Sequence, residues 1–510
     1  MKDKFIESIN AGYTFKGDCI ELGAASFGSE IISEVKIKVP LKMMNRHGLV
    51  AGATGTGKTK TLQRIAESLS EKGVSVLMMD IKGDVSGLSQ AGVTNPRIEE
   101  RAQHLGINWK GVAYPTEFLT LSANAGVKMR ATVTEFGPVL FSKILELNDI
   151  QSGVVALIFK YCDDNKMPLI DLKDFKKVLQ FLTNEGRDEI EKEYGKISTA
   201  STSTIIRKII EIEGQGAEKF FGEKSFEVED LVRIDEQGRG YINILRLNDI
   251  QDKPKMFSTF MLSLLSEIYA TFPEEGDLEQ PKLVMFIDEA HLIFNEASKT
   301  LLSQLETIIK LIRSKGVGIY FCTQLPTDIP ANILSQLGNK VQHALRAFTA
   351  NDRKAIKTAS ENYPETEFYD TDELLTSLGI GEAIVTVLND KGNPTPLVHC
   401  VMAPPQSRMD IITEVELNTS ISKSVLAKKY NQEIDSQSAY EILAAKLEAK
   451  AGEQAEVVEE NTSSKNEKSL IEKVTQNPVT KILVKELARG LLGALGLGTT
   501  RRGTKKSSWF

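Results

Sequence analysis

The spacing of apolar and polar residues changes several times along the chain, and each change predicts an element. In residues 1–40 the alternation at Val35, Ile37 and Val39 predicts a strand or two, too little for an independent domain. From Arg46 to Gly83 the order reads strand Gly48–Ala51, helix Lys58–Glu71, strand Val74–Asp80, which is a βαβ unit. The helix stripe Leu62, Ile65, Ala66 and Leu69 is the face expected to pack on a sheet, and the unbroken run Val74–Met79 suits a strand covered on both sides. Between about 128 and 225 apolar residues recur at helical spacing (Leu172, Phe175, Val178, Leu179, Leu182) with charges in the gaps, so a helical insertion is expected.

Strand texture returns at Tyr241–Leu245, Lys282–Asp288 and Gly316–Thr323, the last two separated by a helix through Leu301–Arg313. A strand near Val341–Ala347 and a hairpin, Glu382–Leu388 with Leu397–Met402, complete the globular pattern. The expected segments are a lead-in at 1–40, a core at 41–127, the insertion at 128–225, the core resumed at 226–412, and a helical tail at 413–510. Within that tail, Ser438–Lys450 is helix-prone, the Glu- and Ser-rich stretch Ala451–Lys468 reads as a disordered linker, and Leu470–Leu497 is helix-prone again, followed by Arg501-Arg502 and Lys505-Lys506. The fold class is α/β: a mostly parallel sheet with helices on both faces.

At 510 residues the chain is long for one core, and its net charge of -7 excludes nucleic-acid binding by global attraction while leaving room for a local basic channel. Cys19, Cys162, Cys322 and Cys400 show no paired spacing, which predicts reduced thiols and a cytoplasmic protein. No apolar run reaches the roughly 18 residues of a membrane span, so no membrane association is expected.

Candidate chemistry begins at Gly52-Ala53-Thr54-Gly55-Thr56-Gly57-Lys58-Thr59, which fits G-x-x-x-x-G-K-[ST] between a strand and a helix. Its glycines let successive amides converge on phosphate oxygens, Lys58 reaches the outer phosphates, and the Thr59 hydroxyl can hold Mg²⁺. ATP with Mg²⁺ is the implied cofactor pair. Five apolar residues, Leu283–Ile287, then close on Asp288-Glu289, as a buried strand carrying acids at its carboxyl end should. In that setting Asp288 would hold Mg²⁺ and Glu289 would orient and deprotonate water; alone, the pair could equally cap a helix.

Gln324 follows the strand Val317–Thr323 at the same sheet edge and can donate to a phosphate or a water, or be a plain turn residue. Arg313 is either a finger for a neighbouring subunit's nucleotide or a solvated helix end. Arg46, just before the first core strand, is either a nucleotide ligand or a surface charge. Asp80 ends the second core strand. The histidines lack metal-ligand spacing.

Taken together, the phosphate loop, Met79–Asp84, the run into Asp288-Glu289, and Arg313…Gly318…Thr323-Gln324-Leu325-Pro326 resemble the HerA/FtsK superfamily of ring-forming DNA motors. Leu345–Thr349, Gly381-Glu382-Ala383, Pro394-Thr395-Pro396 and Pro404-Pro405 are similar to YjgR-type HerA-like bacterial proteins. The resemblance implies a RecA-like P-loop ATPase core that forms homo-hexamers and moves along double-stranded DNA. It implies Lys58 and Thr59 as nucleotide ligands, Asp288 and Glu289 as catalytic acids, Gln324 as sensor, Arg313 as a finger acting in trans and Arg46 as an arginine acting in cis. Archaeal HerA proteins begin with a β-barrel that mates with a nuclease, and residues 1–40 are too few to build one. Two other readings keep the phosphate loop: a regulatory ATPase acting on an unidentified protein partner, and a secretion-type motor at a membrane.

Overall fold

The twelve strands lie in one sheet, and the computed structural model describes residues 1–250, 253–276, 278–295 and 299–462. The strands are β1 (Cys19–Phe27), β2 (Glu30–Pro40), β3 (Gly48–Ala51), β4 (Ser75–Asp80), β5 (Thr116–Thr120), β6 (Val127–Lys128), β7 (Ile242–Arg246), β8 (Leu283–Ile287), β9 (Val317–Thr323), β10 (Asn339–His343), β11 (Glu382–Thr386) and β12 (Val398–Met402). Their order is β2-β1-β12-β11-β10-β3-β9-β8-β4-β7-β5-β6. From β10 to β6 every neighbouring pair is parallel, whereas β11, β12, β1 and β2 extend the sheet antiparallel. This is the RecA-like P-loop arrangement, with β9 and β8 inserted between the strand before the phosphate loop and β4.

The parallel centre is buried on both faces. Every residue of β3, β4, β8 and β9 is buried, which explains why these strands read as continuous apolar runs without alternation. The helix Lys58–Glu71 packs Leu62, Ile65, Ala66 and Leu69 inward, all nearly inaccessible, and each large side chain contributes about 1.5–3 kcal/mol by burial. The same helix buries Glu67, whose carboxylate accepts the amides of Gln406 (2.9 Å) and Ser407 (2.8 Å). That contact fixes the segment after Pro404-Pro405 against the phosphate-loop helix.

Residues 1–40 supply the helix Lys2–Gly12 and the hairpin β1–β2, whose first strand pairs with β12. Strands from opposite ends of this unit, pairing Gly23 with Met402, are thus neighbours in the sheet. The stretch 128–225 holds the helices Val133–Ile144, Asp149–Asp164, Leu172–Thr183, Arg187–Glu193 and Thr199–Gly214. Capping boxes at Thr132/Glu135, Asn148/Gln151 and Asp171/Asp174 start three of them, and rings such as Phe141 and Phe175, with centroids 4.8 Å apart, fill the space between.

Met1–Glu441 forms one compact unit. It includes the helices Glu414–Lys423 and Val425–Tyr430, the latter held by Tyr430, whose ring packs tilted against Phe226 with centroids 4.8 Å apart and whose hydroxyl donates to Asp230 at 2.6 Å. The second unit begins at Ile442. In it the stretch from Ala451, expected to be disordered, is instead helical through Thr462 as part of the helix Ala439–Thr462. Its Ala and Glu content, which looks like a polar linker by composition, is also that of a strong helix former. The expected helix Leu470–Leu497 and the basic pairs after it lie outside the described residues. No helix among the described residues is long and apolar enough to cross a membrane.

Candidate nucleotide site

The sheet order sets five strand ends in a row at the carboxyl edge: β10 ends at His343 and β4 at Asp80, while β3, β9 and β8 lead directly into the phosphate loop, Gln324 and Asp288. In parallel sheets this edge is where ligands bind. Gly52, Gly55 and Gly57 have φ of 147°, 79° and 113°, conformations that side chains resist and that a tight phosphate-cradling loop requires. A Cβ on Gly52 would lie 2.6 Å from the His343 Cβ. Lys58 folds back under the loop, donating to the carbonyls of Gly52 (2.6 Å) and Ala53 (3.1 Å). Burial lowers its pKa, with Lys82 adding to the effect and nearby acids opposing it.

Carboxylates converge opposite the loop. Asp288 is buried, and burial raises its pKa; the Lys82 ammonium opposes that rise and Glu289 adds to it. Glu289 adopts φ 46°, a left-handed conformation that costs a non-glycine residue on the order of 1–3 kcal/mol and is found where a side chain must be aimed. Its Oε1 is paired with Lys82, while Oε2, with His291 Nδ1 at 3.3 Å, has no hydrogen-bond partner. Asp84 accepts from the Thr59 hydroxyl at 3.1 Å, and its other oxygen, Oδ1, is likewise buried without a partner.

Asp80 organises the turn that carries Lys82 and Asp84, accepting from the amides of Gly83, Asp84 and Val85 at 2.7, 3.2 and 3.3 Å. Burial and the neighbouring Asp84 push its pKa up to about 6. Gln324 adjoins the loop through its backbone, its carbonyl accepting from Gly52 at 3.2 Å, and it is exposed. The Glu289 and Asp84 oxygens that make no hydrogen bond, the glycine-rich loop and the Thr59 hydroxyl are a set that fits a magnesium-bound triphosphate.

Arg46 and Arg313 are not part of this row. They precede β3 and β9 respectively, at the amino edge of the sheet, and line a shared cavity of about 840 Å³ with Lys310 and Lys340. The four residues of β3 alone put about 13 Å between Arg46 and its own phosphate loop. The strand thus stands between Arg46 and its own loop, so the cis role that the resemblance implies for Arg46 is not one this geometry brings together.

With this geometry in place, a sequence profile of the family described as Helicase HerA-like C-terminal matches residues 29–485. The chain belongs to that family. It is 26% identical over 377 residues to the DNA double-strand break repair helicase HerA of Sulfolobus acidocaldarius, covering 71% of this chain and 66% of that protein. The HerA of Sulfurisphaera tokodaii is 27% identical over 370 residues, with the same coverage. The chain thus spans slightly under two thirds of these HerA proteins' length. Among solved structures, the bacterial conjugative coupling protein TrwBdeltaN70 superposes with a TM-score of 0.51 at 13% identity, covering 80% of this chain and 95% of that one. The plasmid coupling protein TrwB in complex with ADP and Mg²⁺ gives 0.50 at 15% identity, covering 78% and 99%. At such identities the likeness is one of fold.

Several HerA-like residues outside the nucleotide motifs brace the phosphate loop. Gly381 N–H donates to the Thr56 carbonyl at 2.9 Å, and Ala53 N–H donates to Ala344 at 2.8 Å. His343 bridges the Thr61 hydroxyl (2.9 Å) and the Glu382 carbonyl (2.8 Å). Gly381-Glu382-Ala383 carries no role that the sequence alone assigns; the positive φ of 74° at Gly381 shows why a glycine stands there. Lys82 and Asp84 had no assigned role either, since only the fold brings the turn after β4 against Thr59 and Glu289.

Proposed function

We propose that this HerA-like protein is an ATP-hydrolysing motor that assembles as a homo-hexameric ring, acts in the cytoplasm and moves along double-stranded DNA. One observation carries the catalytic part of the reading: a glycine-rich loop with its lysine, near Glu289 whose second carboxylate oxygen is buried and makes no hydrogen bond. The loop amides and Lys58 would hold the triphosphate, and Thr59 and Asp288 would hold Mg²⁺. Bound MgATP supplies the phosphoryl group to be transferred. Glu289 Oε2 then takes the proton of the attacking water, and Gln324 positions that water or the outer phosphate.

Assembly is supported by the basic cavity of Arg46 and Arg313 at the opposite edge, which in a head-to-tail ring would meet the next subunit's nucleotide. DNA as track is supported by relatives named as DNA double-strand break repair helicases. Two substitutions test the site. Lys58→Ala should abolish nucleotide binding, and Glu289→Gln should keep binding while stalling hydrolysis. Wild-type turnover in Glu289→Gln would remove the assignment of the base. ATPase activity indifferent to duplex DNA, in a protein that sediments as a monomer with nucleotide, would overturn the motor.

A further inference from the structure

Beside the phosphate loop lies a second feature that the triphosphate chemistry does not use, a cavity of about 320 Å³. Its floor is Gly57, Lys60 and Thr61, the start of the phosphate-loop helix. Its walls come from three distant segments: Ile98 and Arg101, then Ile380 and Gly381, then Met402–Pro405 with Met409. The walls are largely apolar. Ile98, Met402 and Ala403 are buried, whereas Ile380 at the mouth is 69% exposed, an uncovered isoleucine beside a polar loop.

Of the charged groups lining the cavity, Arg101 and Lys60 are committed elsewhere, while Arg97 is exposed. Arg101 donates from both terminal nitrogens, to the carbonyls of Gly381 and Ile380 at 2.9 Å each. Lys60 donates to the Met409 carbonyl. Asn95 Oδ1 accepts the amides of Arg97 and Ile98 at 3.0 Å. These contacts stiffen the cavity and leave its interior to flat, apolar contact.

We propose that this cavity is the base subsite of the nucleotide, taking the heterocycle of a purine nucleoside triphosphate between Ile98, Ile380 and the Met402–Pro405 segment. The inference rests on the nucleotide reading of Gly52–Thr59. Gly57 belongs to the phosphate loop and also lines the cavity, so a base attached to phosphates on the loop is within reach of it. Its size is within the range of pockets that enclose small ligands. Burying a flat ring against apolar side chains, with Ile380 covered in the process, supplies affinity in proportion to the area removed from water. Recognition is chiefly by shape, since Arg101, Lys60 and Asn95 are engaged with backbone and Thr61 with His343.

The test compares MgATP with magnesium tripolyphosphate, which has the phosphates and no base, by calorimetry on the full chain. Wild-type protein should bind ATP on the order of tenfold or more tighter than tripolyphosphate. Ile98→Phe, whose added atoms have the cavity to occupy, should erase that advantage and leave tripolyphosphate binding unchanged. Ile380→Ala, an exposed position tolerant of truncation, should reduce the advantage several-fold and decides the matter should Ile98→Phe fail to fold. Equal affinity of wild-type protein for the two ligands, or ATP binding untouched in folded variants, would overturn the base subsite. Loss of both ligands together in the variants would overturn it as well, by assigning the residues to the loop. Wild-type protein that binds neither ligand would instead defeat the phosphate-loop reading, a separate failure.

Discussion

Lys82, in the turn after β4, forms an ion pair with Oε1 of Glu289, after β8. Burial works against the Lys82 charge, yet the Glu289 and Asp288 carboxylates outweigh it and its pKa is raised. One oxygen of the candidate base is thus held by a cation while the other, 3.3 Å from His291 Nδ1, makes no hydrogen bond. Because Thr59 bonds Asp84 two residues along the same turn, the loop, the turn and the base form one connected unit.

Removing that cation should act on turnover more than on binding. Lys82→Ala is expected to lower kcat on the order of tenfold with little change in KM, the signature of an interaction that matters in the transition state. Asp288 also loses the charge that opposes the rise in its pKa, so the acid limb of the pH–rate profile should move to higher pH. Lys82→Arg should restore part of both. An unchanged profile and rate in Lys82→Ala would mean the ion pair is ornamental.

The amino-edge cavity makes a different demand. If Arg46 and Arg313 serve the next subunit's nucleotide, Arg46→Ala should leave nucleotide affinity of an isolated subunit intact and cut the ATPase rate of the assembled protein, with Arg313→Ala costing about 10³-fold. Mixing Arg313→Ala with Lys58→Ala subunits should recover partial activity, because each contributes the half-site the other lacks. Verified mixed assemblies with no recovery would return both arginines to the surface.

Much of this site could be read from the chain alone, for a physical reason. The phosphate loop is a local backbone shape that only a narrow set of residues can adopt, and strands buried on both faces announce themselves as apolar runs such as Leu283–Ile287. What could not be read depends on contacts between distant segments. Arg46 stands close to the loop in sequence but on the far side of a strand. Lys82 meets Glu289 only because β4 and β8 are neighbours, and β1 meets β12 across most of the chain. The helix beyond Ala451 was missed for another reason: its composition satisfies both the rule for solvated linkers and the rule for helices.

Gly381 should be hard to replace. Its φ of 74° penalises any side chain, and a Cβ there would fall 2.2 Å from Arg101 Nη1, which is itself bonded to the Gly381 carbonyl. Gly381→Ala is expected to cost about 1–3 kcal/mol of stability and to weaken nucleotide binding by loosening the Thr56 carbonyl contact. Chemical denaturation and nucleotide titration measure the two effects. A variant as stable as wild type would show that the brace has slack.

His343 gives a pH prediction whose sign follows from its partners. The Glu382 carbonyl can only accept, so Nδ1 carries the proton, and Nε2 of the neutral ring accepts from Thr61. Burial lowers the pKa to about 4, with Lys58 adding to the effect. Below the ordinary value of about 6.5 the unfolded chain takes up a proton that the folded ring refuses, so stability is lost as pH falls from 6.5 toward 4. The full term is on the order of 3 kcal/mol. His343→Gln removes this term while leaving every other titrating group in place. Its destabilisation relative to wild type, measured by urea unfolding at pH 7.5, 6.5, 5.5 and 4.5, should therefore shrink by up to that amount toward acid pH. A destabilisation constant across the series would mean that the ring titrates normally and is not the sealed strut between Thr61 and Glu382 described above.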